Sequence, residues 1–177
     1  GWNRMPAMNL KKSDISQVAG ILGRARLDNS LVPELPDELT PAGSAEGYEV
    51  QAALGDWFGK HGQGEIAGYK VGATTRVMQD ILKVAEPAYG CIFGTNILAS
   101  ETSVTPGVAV VTGLECEIAL RLGADIAQSG SPVTRQDVKD CVKAVIPAIE
   151  IVQNRFGDFP ARGLGTLIAD DFFHKAC

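Results

Sequence analysis

Three glutamates in apolar segments are the residues of this sequence best suited to chemistry. Glu115 and Glu117 stand one residue apart in GLECEIAL, and Glu150 lies in IPAIEIV. Because side chains alternate between the two faces of a strand, Glu115 and Glu117 share one face, about 7 Å apart along the backbone. Unpaired carboxylates repel one another, and a lone charge among aliphatic residues is costly. A hard divalent cation with oxygen ligands would remove both problems.

Two interpretations of this pattern are open. Glutamates at positions i and i+2 of a strand more often lie on a solvated sheet face than around a metal ion. The third carboxylate, Glu150, favours a metal site in which water or substrate takes the remaining ligand positions, as Mg²⁺ usually prefers. The residues by themselves leave both interpretations standing.

The composition narrows the class of protein. The 177 residues are 45% hydrophobic and 21% charged, with a net charge of -5. These values are typical of a globular domain with its own core. The basic residues are scattered, which argues against nucleic-acid binding. No apolar run reaches the ~18 residues of a membrane span, and the first residues lack the apolar centre of a signal peptide.

The four cysteines lack the close spacing of a zinc or redox motif. This usage is typical of a reduced, cytoplasmic protein. Cys116 and Cys141 lie in apolar surroundings, so we expect both in the core.

The elements that must position the glutamates follow from the hydrophobic period. Helical spacing over 13–28 and 44–62 predicts two helices, joined by a Pro-rich connection without regular structure. From residue 64 the pattern changes to strands and short helices. We expect strands or extended pieces at 64–74, 88–98, 101–107, 108–123 (a strand pair or one long kinked strand) and 144–156, and short helices at 74–84 and after Thr134.

This order predicts an α+β fold, with a helical N-terminal subdomain over 1–62 and a β-rich metal-binding catalytic domain over 63–177. Pro147 cannot donate to a sheet, which favours an edge position or a bulge for its strand. The elements alone do not identify the protein.

Several segments together resemble a known family. In order along the chain these are GYKVGAT with MQ following, EPAYGCI, ECEIAL, PAIEIVQNRF and LIADD. The set is similar to the 2-keto-4-pentenoate hydratase and 4-oxalocrotonate decarboxylase group of the fumarylacetoacetate hydrolase superfamily, over approximately residues 45–171. The resemblance implies a helical N-terminal part followed by a β-rich mixed sheet or roll. Members of the family continue further, so we expect a C-terminally truncated β-rich domain with an open sheet edge.

The resemblance also implies a set of site residues. Glu115, Glu117 and Glu150 correspond to the ligands of Mg²⁺ or Mn²⁺, and Lys70 to a catalytic lysine of the substrate pocket. Gln79 and Tyr89 are its further substrate-binding residues. From the residues alone, a solvated strand lysine is the favoured interpretation of Lys70, and Gln79 is either a pocket residue or helix surface. The chain departs from the family at two positions, where Ala88 replaces an aspartate and Asp171 follows the matching Asp170.

The function that the resemblance implies is metal-dependent hydration of 2-hydroxypenta-2,4-dienoate-type (2-keto-4-pentenoate) acids in aromatic meta-cleavage catabolism, through a metal-chelated enolate. The alternatives are a 4-oxalocrotonate-type decarboxylase and an acylpyruvate C–C hydrolase. The expected partners are a small 2-oxo or 2-hydroxydienoic acid, further copies of the chain in a homo-oligomer, and a related decarboxylase or hydratase. Ala88 and the early end keep open a different class, a catalytically silent structural subunit.

Other polar residues have plainer interpretations. His61 follows the second predicted helix, which favours a C-terminal cap over the His–Glu pair of the hydrolase branch. His174 is either solvated or paired with Asp170 or Asp171. Arg155 and Asp158 lie beside the strand of Glu150, and a surface salt bridge is the plainer alternative for them. No G-x-S-x-G segment supports a serine nucleophile.

Overall fold

A computed structural model describes residues 9–82, 84–106, 109–126 and 130–177. The helices are α1 (Lys12–Leu27), α2 (Ser44–Lys60), α3 (Arg76–Leu82), α4 (Arg135–Cys141) and α5 (Gly163–Ala169). The strands are β1 (Ile66–Gly72), β2 (Ala88–Phe93), β3 (Val111–Leu122), β4 (Val142–Asn154) and β5 (His174–Ala176). Short 3-10 turns occupy Asp37–Leu39, Gly94–Asn96, Phe159–Arg162 and Asp171–Phe173.

The α+β class is confirmed, with two long helices ahead of the sheets. The segment predicted as a strand pair or one kinked strand is a single strand, β3. One prediction was wrong in detail, because the Pro-rich connection contains the turn Asp37–Leu39. The described part of the extended piece predicted at 101–107 belongs to no sheet.

The chain divides into two compact units. One comprises the described residues up to Gly113 together with Ile151–Cys177, and the other is Leu114–Glu150. These limits differ from the predicted domain boundary between residues 62 and 63, which stays a prediction. The unit that starts at Leu114 contains most of β3, all of α4 and most of β4.

The core of the first unit lies where α1, α2 and α5 pack together. Leu22 of α1, Leu54 and Phe58 of α2, and Leu167 and Ile168 of α5 are almost fully buried. Each of these side chains contributes about 1.5–3 kcal/mol when removed from water. This helical layer supports the β1–β2 hairpin through contacts of β2 with α5 and with the turn Asp171–Phe173.

The strands β1 and β2 form an antiparallel pair. Lys70 lies opposite Gly90, and the neighbouring Val71 lies opposite Tyr89. Since side chains alternate, Lys70 and Tyr89 project from opposite faces of this hairpin.

The second sheet has the strand order β3-β4-β5, and β4 pairs antiparallel with β5 at Ile151 and Val152. β4 is the middle strand of this order, so Pro147 is not on an edge strand, but it lies outside the stretch that pairs with β5. Among the described residues, no helix is long and apolar enough to cross a membrane.

The apolar face of β3 is exposed. Leu114 is 73% exposed and Ile118 is 75% exposed. Cys116, which lies between them, is also exposed, so its predicted place in the core was wrong, and Cys141 is only partly buried. The alternation correctly separated two faces of the strand, but it carried no information about what packs on either face. Cys91, Cys116 and Cys141 form no disulfide.

Candidate metal centre and substrate pocket

The three predicted glutamates converge. One carboxylate oxygen from each of Glu115, Glu117 and Glu150 lies within 4.8 Å of the other two. Glu115 and Glu117 are exposed on β3, while Glu150 on β4 is 5% exposed. Among the described residues, no other group of three His, Cys, Asp or Glu side chains approaches this closely.

The donor set fits a hard divalent cation. Two oxygens bound to the same ion are separated by at most twice the metal–oxygen distance, about 4.2 Å around Mg²⁺ and about 5 Å around Ca²⁺. The three carboxylate oxygens all lie within 4.8 Å of one another, which is inside the limit for Ca²⁺, and a small inward movement would bring them within the limit for Mg²⁺. Carboxylates that lie this close repel one another, and a shared cation would relieve that repulsion.

The local sequence explains why the glutamates meet. Glu115 and Glu117 lie on β3, which ends just before Gly123. The N–H of Gly123 donates to the carbonyl of Cys141 at the end of α4. β4 begins at the next residue and brings Glu150 back beside β3. The helix between them is fixed at its start by Thr134, whose hydroxyl accepts a hydrogen bond from the N–H of Asp137.

Lys70 lies in the first unit, on β1. Its side chain is half-buried, and its Nζ lies 5.5 Å from the centroid of the Phe172 ring. Lys70 is therefore not fully exposed, and its place in a substrate pocket stays a prediction. Ala88, which replaces the family aspartate, is 3% exposed and lies opposite Gly72, on the same face of the hairpin as Lys70.

Tyr89 projects from the other face of the hairpin. Its ring stacks on Tyr48 of α2 at 4.4 Å between centroids, and its N–H donates to the Tyr48 hydroxyl. Burial raises the pKa of the Tyr89 phenol, and the neighbouring Tyr48 adds to this shift. The structure thus does not bring the Tyr89 side chain to the face that carries Lys70.

Gln79 is buried, so its interpretation as helix surface is wrong. Its Nε2 donates to the carbonyl of Ala73 at 2.9 Å. Ala73 has a φ of 54°, in the left-handed region, at the turn between β1 and α3. In this structure the Gln79 amide stabilises the turn that follows the strand of Lys70.

A buried ion cluster in the first unit was missed by sequence reasoning. Arg26 of α1 donates from Nη1 to Asp171 at 2.8 Å and from Nη2 to Asp170 at 3.2 Å. Arg155 lies 2.6 Å from Asp170. All four side chains are at most 2% exposed. The predicted surface salt bridge between Arg155 and Asp158 was therefore wrong, because Arg155 is fully buried and its partner is Asp170.

The pKa values of Arg26 and Arg155 shift in opposite directions. Burial lowers the pKa of Arg155, and the Asp170 carboxylate only partly opposes this effect. Burial acts in the same direction on Arg26, but Asp171 and Asp170 together outweigh it and raise its pKa. Burial also raises the pKa of the nearby Cys91 thiol to about 12, and Asp171 adds to the shift. Cys91 is therefore a protonated thiol at neutral pH and a poor nucleophile.

The two histidines have structural positions. His61 is the C-cap of α2, as predicted, and its ring stacks on Trp57 at 3.6 Å between centroids. His174 on β5 is fully buried, so its interpretation as a solvated residue was wrong.

Comparison with solved structures establishes the fold. The structure superposes on 4-oxalocrotonate decarboxylase from Pseudomonas putida G7, complexed with magnesium and adipate, with a TM-score of 0.72 and 20% identity. The match covers 98% of this chain and 63% of that one. The same enzyme complexed with calcium and acetate matches with a TM-score of 0.70. The chain thus has the α+β fold of this decarboxylase over nearly its whole length.

Curated proteins confirm the resemblance to the hydratase and decarboxylase group. A 2-keto-4-pentenoate hydratase 1 of Dechloromonas aromatica is 28% identical over 153 residues, 86% of this chain and 57% of its own. A 2-keto-4-pentenoate hydratase of Paraburkholderia xenovorans is 32% identical over 106 residues, 60% of this chain and 38% of its own. No family model matches the sequence. The chain spans less than two thirds of the length of these relatives.

Proposed function

We propose that this chain carries the catalytic centre of a hydro-lyase that hydrates 2-hydroxypenta-2,4-dienoate-type (2-keto-4-pentenoate) acids in aromatic meta-cleavage catabolism. The observation that carries the proposal is the convergence of Glu115, Glu117 and Glu150 within 4.8 Å. The relatives named 2-keto-4-pentenoate hydratase, and one named 2-hydroxyhexa-2,4-dienoate hydratase, support the substrate class.

The three carboxylates would hold Mg²⁺ or Mn²⁺, which have the preference for oxygen ligands that this donor set satisfies. When bound, the ion supplies Lewis-acid polarisation of the 1-carboxylate and 2-oxygen of the substrate. Magnesium in the solved decarboxylase structure supports this choice of ion.

Lys70 supplies a positive charge for the substrate carboxylate and an N–H for proton transfer. In the proposed reaction the 2-hydroxyl group gives up its proton and C5 takes one up, which leaves a 2-oxo acid with a C3–C4 double bond. The oxygen of water then adds at C4 and a proton adds at C3. Of the other two proposed substrate-binding residues, Gln79 would act through the turn that follows β1. Tyr89 lies on the hairpin face opposite Lys70, so it would act indirectly, through its packing on Tyr48.

A decarboxylase is the second candidate, because the solved structures that superpose on this chain are of 4-oxalocrotonate decarboxylase. In that reaction a C–C bond breaks, CO₂ leaves, and the electron pair passes into the conjugated 2-oxo system. The same Lewis-acid chemistry would serve both reactions.

The metal site is tested by isothermal titration of Mg²⁺ and Mn²⁺ into the protein and into the Glu115→Gln, Glu117→Gln double variant. We expect the double variant to lose binding, because two of the three charged ligands become neutral amides. The matched control is Glu101→Gln, which changes another exposed glutamate and should bind as the parent does. Equal affinity in parent and double variant would contradict the proposal.

The reaction is tested by following the ultraviolet absorbance of 2-hydroxypenta-2,4-dienoate with Mg²⁺ present. Disappearance of the dienol, dependent on Lys70 and on the glutamates, is the expected result. Release of CO₂ from 4-oxalocrotonate identifies the decarboxylase instead, and cleavage of an acylpyruvate identifies a hydrolase. Metal binding without turnover of any of these acids would indicate a silent structural subunit.

The proposal extends to the setting of the protein. We expect a cytoplasmic homo-oligomer that associates with a related decarboxylase or hydratase and binds no nucleic acid. Light scattering during size-exclusion chromatography, with and without such a partner enzyme, measures both kinds of assembly.

A further inference from the structure

The hairpin face that carries Lys70 is bare at two glycine positions. Gly72 follows Lys70 by two residues on the same face, and Gly90 lies directly opposite Lys70. A Cβ atom at Gly72 would lie 2.4 Å from Cδ1 of Phe172, and a Cβ atom at Gly90 would lie 2.4 Å from the carbonyl oxygen of Asp171. The segment 171–172 therefore lies directly against this face, in space that only glycine leaves open.

The backbone of this segment is unusual. The φ values are 52° at Asp171, 52° at Phe172 and 69° at Phe173. They fall in the left-handed region, which residues other than glycine rarely adopt. Such a conformation persists only where the surroundings fix it. The Asp171 carboxylate supplies part of this, since one oxygen accepts from Arg26 Nη1 and the other from the N–H of Cys91, both at 2.8 Å.

The result is an aromatic ring held beneath the lysine. Phe172 is 3% exposed, and Lys70 Nζ lies 5.5 Å from its ring centroid. Ammonium groups within about 6 Å of an aromatic centroid are attracted to the negative face of the ring. Because Asp171 links the ring to β2 and to α1, the ring cannot follow the lysine if the lysine moves.

We propose that Phe172 is a positioning residue for Lys70: the cation–π contact selects the side-chain conformation in which the ammonium is presented for a substrate carboxylate. The positioning of the lysine stands on the geometry alone. Its effect on substrate rests on the proposed function.

The first test is spectroscopic and needs no substrate. Lysine side chains are isotopically labelled and observed by NMR. In the parent protein, the Hε protons of Lys70 should show nuclear Overhauser contacts to the Phe172 ring and should be shielded by its ring current. Phe172→Leu, which keeps apolar bulk and removes the ring, should move the Lys70 resonances downfield. Phe172→Tyr should restore the shielding, and the exposed Lys60 should be unchanged in every variant.

The second test uses the metal-loaded enzyme and the dienoic acid. Phe172→Leu should raise KM about fivefold, the factor that corresponds to a cation–π energy of about 1 kcal/mol, with a smaller change in kcat. Phe172→Tyr should return KM to the parent value. A merely structural phenylalanine would give equal losses in both variants, or a fall in the amount of folded protein without a change in KM.

The outcomes separate the two proposals. Absence of the Lys70–Phe172 contacts in the parent spectrum overturns the positioning role, and that measurement holds even if Phe172→Leu does not fold. Unchanged Lys70 resonances in a folded Phe172→Leu protein overturn it as well. Lys70 resonances that shift as expected in an enzyme without turnover would count against the hydratase and leave the positioning role supported.

Discussion

Glu46 shows how a single carboxylate can organise a chain segment at the residue scale. It is 3% exposed at the start of α2, and its oxygens accept hydrogen bonds from the backbone N–H groups of Asn9, Leu10 and Ala42. Burial acts to raise the Glu46 pKa, but the hydrogen bonds from Ala42, Leu10 and Asn9 outweigh it, and the pKa is lowered from its usual 4.5.

This arrangement predicts a pH-dependent stability. A carboxyl group whose pKa is lowered by folding stabilises the protein fully above its unfolded value, and the stabilisation is lost as pH falls through the folded value. We expect Glu46→Gln to lower the free energy of unfolding by about 2 kcal/mol at pH 7, as for hydrogen bonds to a charged group. The deficit should shrink below pH 4.5. Urea denaturation across this pH range measures it.

The control for this experiment is Glu49→Gln, an exposed glutamate on the same helix, which should have little effect at any pH. A Glu46→Gln deficit that is constant from pH 7 to acid would show that charge is not the source of the stabilisation.

Residues with local partners were predictable, and residues with distant partners were not. The i and i+2 spacing of Glu115 and Glu117 follows from the period of a strand. The partners of Glu46 are up to 37 positions away, and those of Arg26 about 145 positions away, so no local pattern indicates them. A buried arginine such as Arg155 has the same sequence surroundings as an exposed one, and the surface interpretation failed for that reason.

At the scale of an element, the helix α4 shows how side chains next to a helix end can stabilise it. It has only seven residues, which is too short for a helix to be stable through its own hydrogen bonds. None of the seven is buried, so packing contributes little to its stability. Thr134 and Asp137 form a capping box in which each side chain accepts the backbone N–H of the other residue. The Thr134 hydroxyl lowers the pKa of Asp137, because it also donates to the carboxylate.

We expect Thr134→Ala to destabilise α4 by about 1 kcal/mol, the usual cost of removing an N-terminal cap. Amide hydrogen exchange over Arg135–Cys141 should become about fivefold faster, while exchange in α1 stays the same. Thr134→Ser keeps the hydroxyl and should behave as the parent, and Ser131→Ala changes a hydroxyl outside the box. Unchanged exchange in Thr134→Ala would show that the cap does not control this helix.

Elements with a clear period or a capping residue were found at this scale, even where they are short. The apolar spacing and capping residues predicted α1, α2, α3, β1 and β4 within a few residues. The sequence did not reveal α5 or β5. The segment of α5, GLGTLIA, contains two glycines and has no polar face, because the helix is buried between other elements. β5 has three residues and exists only through its pairing with β4.

At the scale of the whole molecule, the ion cluster joins three distant parts of the chain in the first unit. Arg26 comes from α1, Arg155 follows β4, and Asp170 and Asp171 follow α5. Lys175 lies near the two arginines, and its pKa is lowered by burial and by their charges. A cluster of this kind is sensitive to the loss of any one carboxylate, because buried cations are then left uncompensated.

We expect Asp170→Asn to lower the free energy of unfolding by about 3–5 kcal/mol. The substitution removes the negative charge that pairs with both Arg155 and Arg26. Thermal unfolding followed by circular dichroism measures the change. Asp158→Asn, which alters an exposed aspartate, is the matched control and should fall within about 0.5 kcal/mol of the parent. Equal stability of the two variants would show that the cluster does not hold the first unit together.

During evolution, substitutions at Gly72 and Phe172 are expected to be coupled. The ring fills the space where a side chain at position 72 would stand, so any residue other than glycine at 72 requires a smaller residue at 172. A homologue that kept the phenylalanine and gained an alanine at position 72 would have to rebuild the turn between them. The pair should therefore vary as a unit across related sequences, although 100 positions separate its members.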